Sequence, residues 1–292
     1  LYQDWPALSQ TKNQLPATVK KAILFLSLAT FSSMALQRIC DPMLPELSRS
    51  FDAPISHAAQ VISLFAITYG LMQLFYGPVG DRLGKYRVVM LATLGCSVGS
   101  LVCAFSPDLE FLISARIGTA LAAAAIIPLS LAWIGDVVPY QQRQETLARL
   151  GLGTMLGITG GQLFGGLFTD TLGWRSAFVL MTAVFAVVCL LLWRQLKHIP
   201  PAVHATQNAG FFKQLVIVGQ DPWARTFLLI ALIEGASMFG LLAITASHLH
   251  QQLGISLTLA GSATALYGVG GMAYMASAKI AIRRLGEVGL AW

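Results

Sequence analysis

Apolar runs of about 20 residues, the length a helix needs to cross a hydrocarbon core of about 30 Å, recur down this chain with short polar breaks between them. By hydropathy they cover 22 to 44, 57 to 78, 87 to 106, 109 to 134, 147 to 169, 175 to 196, 224 to 249 and 258 to 282 of the 292 residues. Within a bilayer every backbone donor and acceptor must be paired inside its own segment or in a closed barrel, and barrel strands are about half this length. The runs are therefore read as eight transmembrane helices of an all-α membrane protein, and a barrel is excluded. Composition agrees, because 11% of residues are charged, against about a quarter in a soluble domain, and mean hydropathy is +0.67. A chain this poor in charge cannot cover a water-facing surface.

The basic residues orient the spans. With the first residues on the cytoplasmic side, fifteen of the 19 Lys and Arg fall in inner segments, while Arg49 and Arg175 fall outside and Arg38 and Arg116 lie within spans. That is the positive-inside pattern, so the net charge of +6 is read as orientation in the lipid bilayer, with no nucleic-acid partner. Cys40, Cys96, Cys103 and Cys189 lie in or at the ends of apolar spans, without a CxxC spacing or neighbouring ligands, and are read as packing residues; no metal or other cofactor is expected. Lys20 and Lys21 precede an apolar stretch too long for a signal-peptide core, so the first span is read as retained. The missing initiator Met is read as a sign of an incomplete chain. The expected organisation is a cytoplasmic segment 1–20, a six-helix bundle 21–197, a cytoplasmic linker 198–222 with Pro200 and Pro201, and the start of a second bundle at 223–292.

The loop after the second span reads Gly77-Pro-Val-Gly80-Asp81-Arg82-Leu-Gly84-Lys85-Tyr-Arg87. It resembles the loop signature of the major facilitator superfamily of transporters. Gly77 and Gly80 suit close helix approach, Gly84 suits a tight turn, and Asp81 with Arg82 offers charges to a neighbouring cytoplasmic helix end. The resemblance implies a conformational latch, with Asp136 and Glu145 as its expected partners. Arg82-Leu83-Gly84 is echoed by Arg284-Leu285-Gly286, in the loop expected after the eighth span, which fits the parallel half-repeats of that architecture. Six spans per half imply twelve in all, so about four more are expected after Trp292.

The fifth span carries Gly153, Gly157, Gly161 and Gly165 at every fourth position, with Gly160 beside them, which puts one bare face on the helix. This is similar to the glycine-rich fifth-helix signature of the family's proton-driven exporters, although Ile158 stands where that signature has proline; generic helix packing is the competing explanation. Gly173-Trp174-Arg175 also looks like the family, and Gly268, Gly270 and Gly271 would give the eighth span a matching small face.

Ionisable residues within spans are costly and are functional candidates by default. Glu234 lies near the middle of the seventh span, where it would exchange a proton or hydrogen-bond a neighbouring helix. Asp41, in the outer part of the first span, resembles the acidic, proline-ended first helix of the family's drug exporters, and Arg116 stands at the family's fourth-helix arginine, with Ala120 where a glycine is usual. The resemblance places both on the central cavity, as a breakable Asp41–Arg116 ion pair coupling protons to substrate; alternatively Asp41 reaches the outer interface. Arg38 would snorkel or join the same network. The expectation is a monomeric, proton-coupled exporter of small amphipathic or cationic compounds in the bacterial inner membrane. The alternatives are an uptake carrier for a sugar or organic acid, or an inactive truncated product. The five histidines sit at loops or span ends and supply no enzyme site, and no phosphate loop is present.

Overall fold

The computed structural model describes residues 15–199, 216 and 218–291, with the side chains of 276 and 278–291 outside the description. Most of the expected linker and of the N-terminal segment lies outside the described residues. The chain forms α1 (Ala17–Arg38), α2 (Leu44–Ser50), α3 (Ile55–Ala58), α4 (Gln60–Leu83), α5 (Lys85–Ala104), α6 (Leu109–Ala123), α7 (Ile126–Val137), α8 (Tyr140–Leu172), α9 (Trp174–Leu196), α10 (Pro222–Leu253) and α11 (Leu257–Ala291).

Each expected span has its helix, with three local departures. The first span ends at Arg38, and residues 39–43 turn before α2 begins. Pro42 has no N–H to give the Arg38 carbonyl, whereas Pro45 sits in the first turn of α2, where a missing N–H costs nothing. The fourth span is divided at Ala124 and Ala125 into α6 and α7, and Pro128 falls in the first turn of α7. The third departure corrects an expected loop: Ile282–Glu287 continues α11 as helix, so the Arg-Leu-Gly echo is not carried by two equivalent loops.

Among the described residues, six helical stretches are long and apolar enough to cross a membrane: Ala17–Arg38, Ile55–Leu83 (α3 with α4), Lys85–Ala104, Leu109–Val137 (α6 with α7), Trp174–Leu196 and Pro222–Leu253. The two others of comparable length, α8 with 33 residues and α11 with 35, are richer in Gly and Thr. Their packing accounts for that. α8 is sandwiched between α1 and α11, so much of its surface meets protein and needs small side chains.

The glycine face of α8 lies against the backbone of α1 in register. A Cβ built on Gly153 would stand 2.7 Å from the Ser27 carbonyl oxygen, and one on Gly161 2.6 Å from that of Ala35. On Gly157 and Gly165 it would collide with the carbonyl oxygens of Phe31 and Ile39. Ser27, Phe31, Ala35 and Ile39 are themselves four apart, so two i+4 rows run side by side with backbone against backbone. Gly160 lies off this row, where a Cβ would meet the Phe31 ring at an ordinary 3.5 Å. On the opposite side, Gly166 abuts Leu257, Gly261 abuts the Gln162 carbonyl, and Gly268 and Gly271 abut Met155, while Gly270 faces open space. α10 leaves most of its apolar residues, among them Leu229, Ile230 and Ile233, uncovered among the described residues.

Candidate functional site

The chain turns at 39–43 inside the protein, because Ile39, Cys40, Asp41 and Met43 are fully buried there. A carboxylate taken out of water must be paired and hydrogen-bonded. Asp41 Oδ2 accepts from Gln162 Nε2 of α8 at 2.8 Å and lies 3.5 Å from Arg38 Nη1. Gln162, fully buried itself, accepts at Oε1 from Thr264 Oγ1 of α11 at 2.9 Å. The Arg38 guanidinium lies over the Phe239 ring of α10, 4.3 Å from its centroid. One carboxylate thereby ties α1 to α8 and, through its two partners, to α10 and α11.

The ion pair at Asp41 is with Arg38, which corrects the expected pair with Arg116. Arg116 is fully buried, donates from Nη1 to the Leu36 carbonyl at 3.0 Å and from Nε to the Val61 carbonyl at 3.4 Å, and lies over Phe65 at 3.9 Å. It thus staples α6 to the ends of α1 and α4 through backbone oxygens. Among the described residues, Asp41 Oδ1, Arg38 Nε and Arg116 Nη2 are buried with no hydrogen-bond partner, an expensive condition that leaves this cluster with unused bonding capacity.

A second constellation lies where α4, α5 and α7 meet. Gly84, at φ +88°, supplies the left-handed turn between α4 and α5 that a side chain would strain. Lys85 then opens α5 and reaches Asp81 Oδ1 at 3.0 Å and Asp136 Oδ2, near the end of α7, at 2.5 Å. Gly80 lets Leu129 approach, since a Cβ there would stand 2.5 Å from its Cδ2. The other expected members stand differently. Gly77 faces open space, Arg82 and Arg87 are exposed, and Glu145 pairs with Arg149 of its own helix at 2.7 Å instead of with the loop. Glu145 lies on the exposed face of α8, where Arg149, four residues on, is within reach.

Glu234 is exposed on α10, makes no ion pair among the described residues, and is not brought into the Asp41 cluster. Sequence reasoning missed Gln162, Thr264 and Phe239. Gln162 carried a signal, an amide inside a glycine-rich span, but nothing local named its partners. Asp170, near the end of α8, was missed too. It accepts from the Leu257 and Thr258 amides at 3.3 and 2.6 Å and from Thr258 Oγ1 at 2.6 Å, binding the first turn of α11.

Stacked apolar helices with ionisable side chains buried between them define a multi-pass membrane protein. The chain belongs to the Major Facilitator Superfamily, whose family model matches residues 26–291. It is 23% identical over 281 residues, covering 94% of this chain and 66% of the other, to the uncharacterized MFS-type transporter YwfA of Bacillus subtilis. It is 30% identical over 168 residues, 58% of this chain and 32% of the other, to citrate exporter 1 of Aspergillus niger. A crystal structure of a bacterial homolog to the human lysosomal transporter Spinster superposes with a TM-score of 0.75 at 20% identity, over 92% of this chain and 64% of that one. The chain spans less than two thirds of the length of these relatives.

Proposed function

We propose that this chain belongs to a proton-coupled exporter of small amphipathic or cationic compounds, working by alternating access between a bundle at 21–197 and a second one beginning at 223, joined by the linker 198–222. It would act as a monomer in the bacterial plasma membrane, with its N-terminus cytoplasmic. The observation that carries this reading is Asp41, a fully buried carboxylate with one oxygen held by Arg38 and Gln162 and the other unpartnered. A proton on Asp41 changes what Arg38 and Gln162 hold, and a cation beside it competes with that proton, which is the logic of exchange. Arg116 keeps the ends of α1 and α4 in place around it. Glu234 serves as a second proton-exchanging carboxylate, and Lys85 with Asp81 and Asp136 closes the cytoplasmic end in one state of the cycle.

A second reading, transport of an organic acid, is favoured by one observation. The buried charged side chains among the described residues are Arg38, Arg116 and Asp41, two cations against one anion, and an anionic substrate would redress that balance. The similarity to citrate exporter 1 leans the same way. Proton flux in proteoliposomes separates the two. Under the first reading, a cationic dye moves against protons and Asp41→Asn abolishes the coupling. Coupling to a carboxylate such as citrate, with none to the dye, selects the second. Coupling that survives in Asp41→Asn with Glu234→Gln refutes the proton sites in either case.

A further inference from the structure

Gln162 is the side chain through which the buried carboxylate reaches α11, and its amide has a donor end and an acceptor end. Nε2 donates to Asp41 and Oε1 accepts from Thr264. The Thr264 hydroxyl carries a single hydrogen, yet it has another acceptor at the same range, the Gly261 carbonyl at 2.9 Å, with that of Ala260 at 3.3 Å. Thr264 can therefore give its hydrogen to the amide or to its own helix, and in the second case its oxygen is free to accept from the amide.

We propose that Gln162 is a positioning residue that carries the charge state of Asp41 across the α8–α11 contact by turning its amide end for end. With Asp41 ionised, the hydrogens run from Thr264 to Oε1 and from Nε2 to the carboxylate. With Asp41 protonated, its O–H donates to Oε1, Nε2 donates to Thr264 Oγ1, and the hydroxyl hydrogen goes to the Gly261 carbonyl. The only covalent change is the O–H bond of Asp41, whose proton comes from water and returns to it. Each member keeps its bond in both states, so the helix contact persists while the direction of the chain of bonds reverses. A leucine of the same size could do neither, and a glutamate would place a second carboxylate against the first. Among the described residues, the charged groups facing Asp41 are Arg38 from its own segment and Arg116 from α6, and the Cys40 thiol is the titratable group beside it; α10 meets the cluster through Phe239, and α11 through Thr264.

This inference rests on Asp41 being the proton site, and infrared difference spectroscopy tests the two separately. The full chain in lipid is titrated while the carbonyl stretch of protonated carboxyl groups is followed; the band lost in Asp41→Asn belongs to Asp41. Gln162→Leu removes both the donor that serves the ionised carboxylate and the acceptor that serves the protonated one; the charge-assisted bond is the stronger, so that band should titrate more alkaline, by about one pH unit or less, up to a tenfold rise in proton affinity. Thr264→Val takes one bond from the ionised arrangement, Thr264 to Oε1, and two from the protonated one, Nε2 to Oγ1 and the hydroxyl to Gly261, so it should move the midpoint the other way, to more acid pH, by less. Thr264→Ser should restore it, which a packing role for the threonine methyl would not do, and this pair decides the matter if the Leu variant fails to fold. An Asp41 band with one midpoint in wild type, Gln162→Leu and Thr264→Val refutes the relay and leaves the proton site standing. A titration in which no band depends on Asp41 overturns the proton site and the relay together.

Discussion

Gly157→Ala adds one methyl group in the middle of the α1–α8 contact. The new Cβ would collide with the Phe31 carbonyl oxygen and stand 2.8 Å from Met34 Cβ and 3.1 Å from the Phe31 carbonyl carbon. Two of these three are backbone atoms inside a helix, which no rotamer change can move, so α1 and α8 must part. Overpacking of this kind costs about 1–3 kcal/mol, and a site closed by backbone belongs at the upper end. Against it, alanine in place of glycine favours the helix by up to about 1 kcal/mol, leaving a net loss of about 1–2 kcal/mol. Gly160→Ala, one residue short of a full turn away, is the internal control. Its Cβ meets the Phe31 ring at 3.5 Å and the Phe164 ring at 3.7 Å, both ordinary contacts, so the propensity gain stands unopposed and the variant should match or exceed wild type. The two alanines should therefore differ by about 2–3 kcal/mol, or several degrees in the unfolding midpoint of the purified protein in detergent, followed by tryptophan fluorescence. If Gly157→Ala is as stable as Gly160→Ala, the backbone-to-backbone contact of these helices is wrong.

Asp170→Ala removes the acceptor of three hydrogen bonds at the first turn of α11; exchange of the Thr258 amide hydrogen should quicken by about tenfold or more, while exchange in α5 stays as in wild type. Arg116→Lys keeps the charge but cannot span the Leu36 and Val61 carbonyls while lying flat on Phe65, so a lower unfolding midpoint, by about 2 kcal/mol or more, is expected in the same fluorescence assay. Lys85→Ala should cost less than about 1 kcal/mol, because its partner Asp136 is exposed, yet should change transport turnover if the loop is a latch; Glu145→Ala should change neither. Glu234→Gln should leave the unfolding midpoint unchanged, and proton flux alone should register it.

What could be read from the residues was whatever depends on near neighbours along the chain. The helical spans followed from the length of their apolar runs, the turn at Gly84 from the residue that tolerates positive φ, and the bare face of α8 from glycines four apart. Contacts between residues far apart in the chain were not legible in this way. Arg38 stands three residues before Asp41, a spacing that permits a pair, but the sequence does not say whether Asp41 takes that neighbour or the distant Arg116. The structure gives Asp41 to Arg38, three residues back, because the turn at Pro42 folds the carboxylate over its own helix end; Arg116 is drawn to backbone oxygens instead. Gln162 and Thr264 meet only because glycines let α8 come close to α1 on one side and to α11 on the other. Periodicity along a chain determines which face of a helix is small or apolar, but a buried hydrogen bond needs two groups held within about 3 Å, and only the packing of whole helices sets that distance.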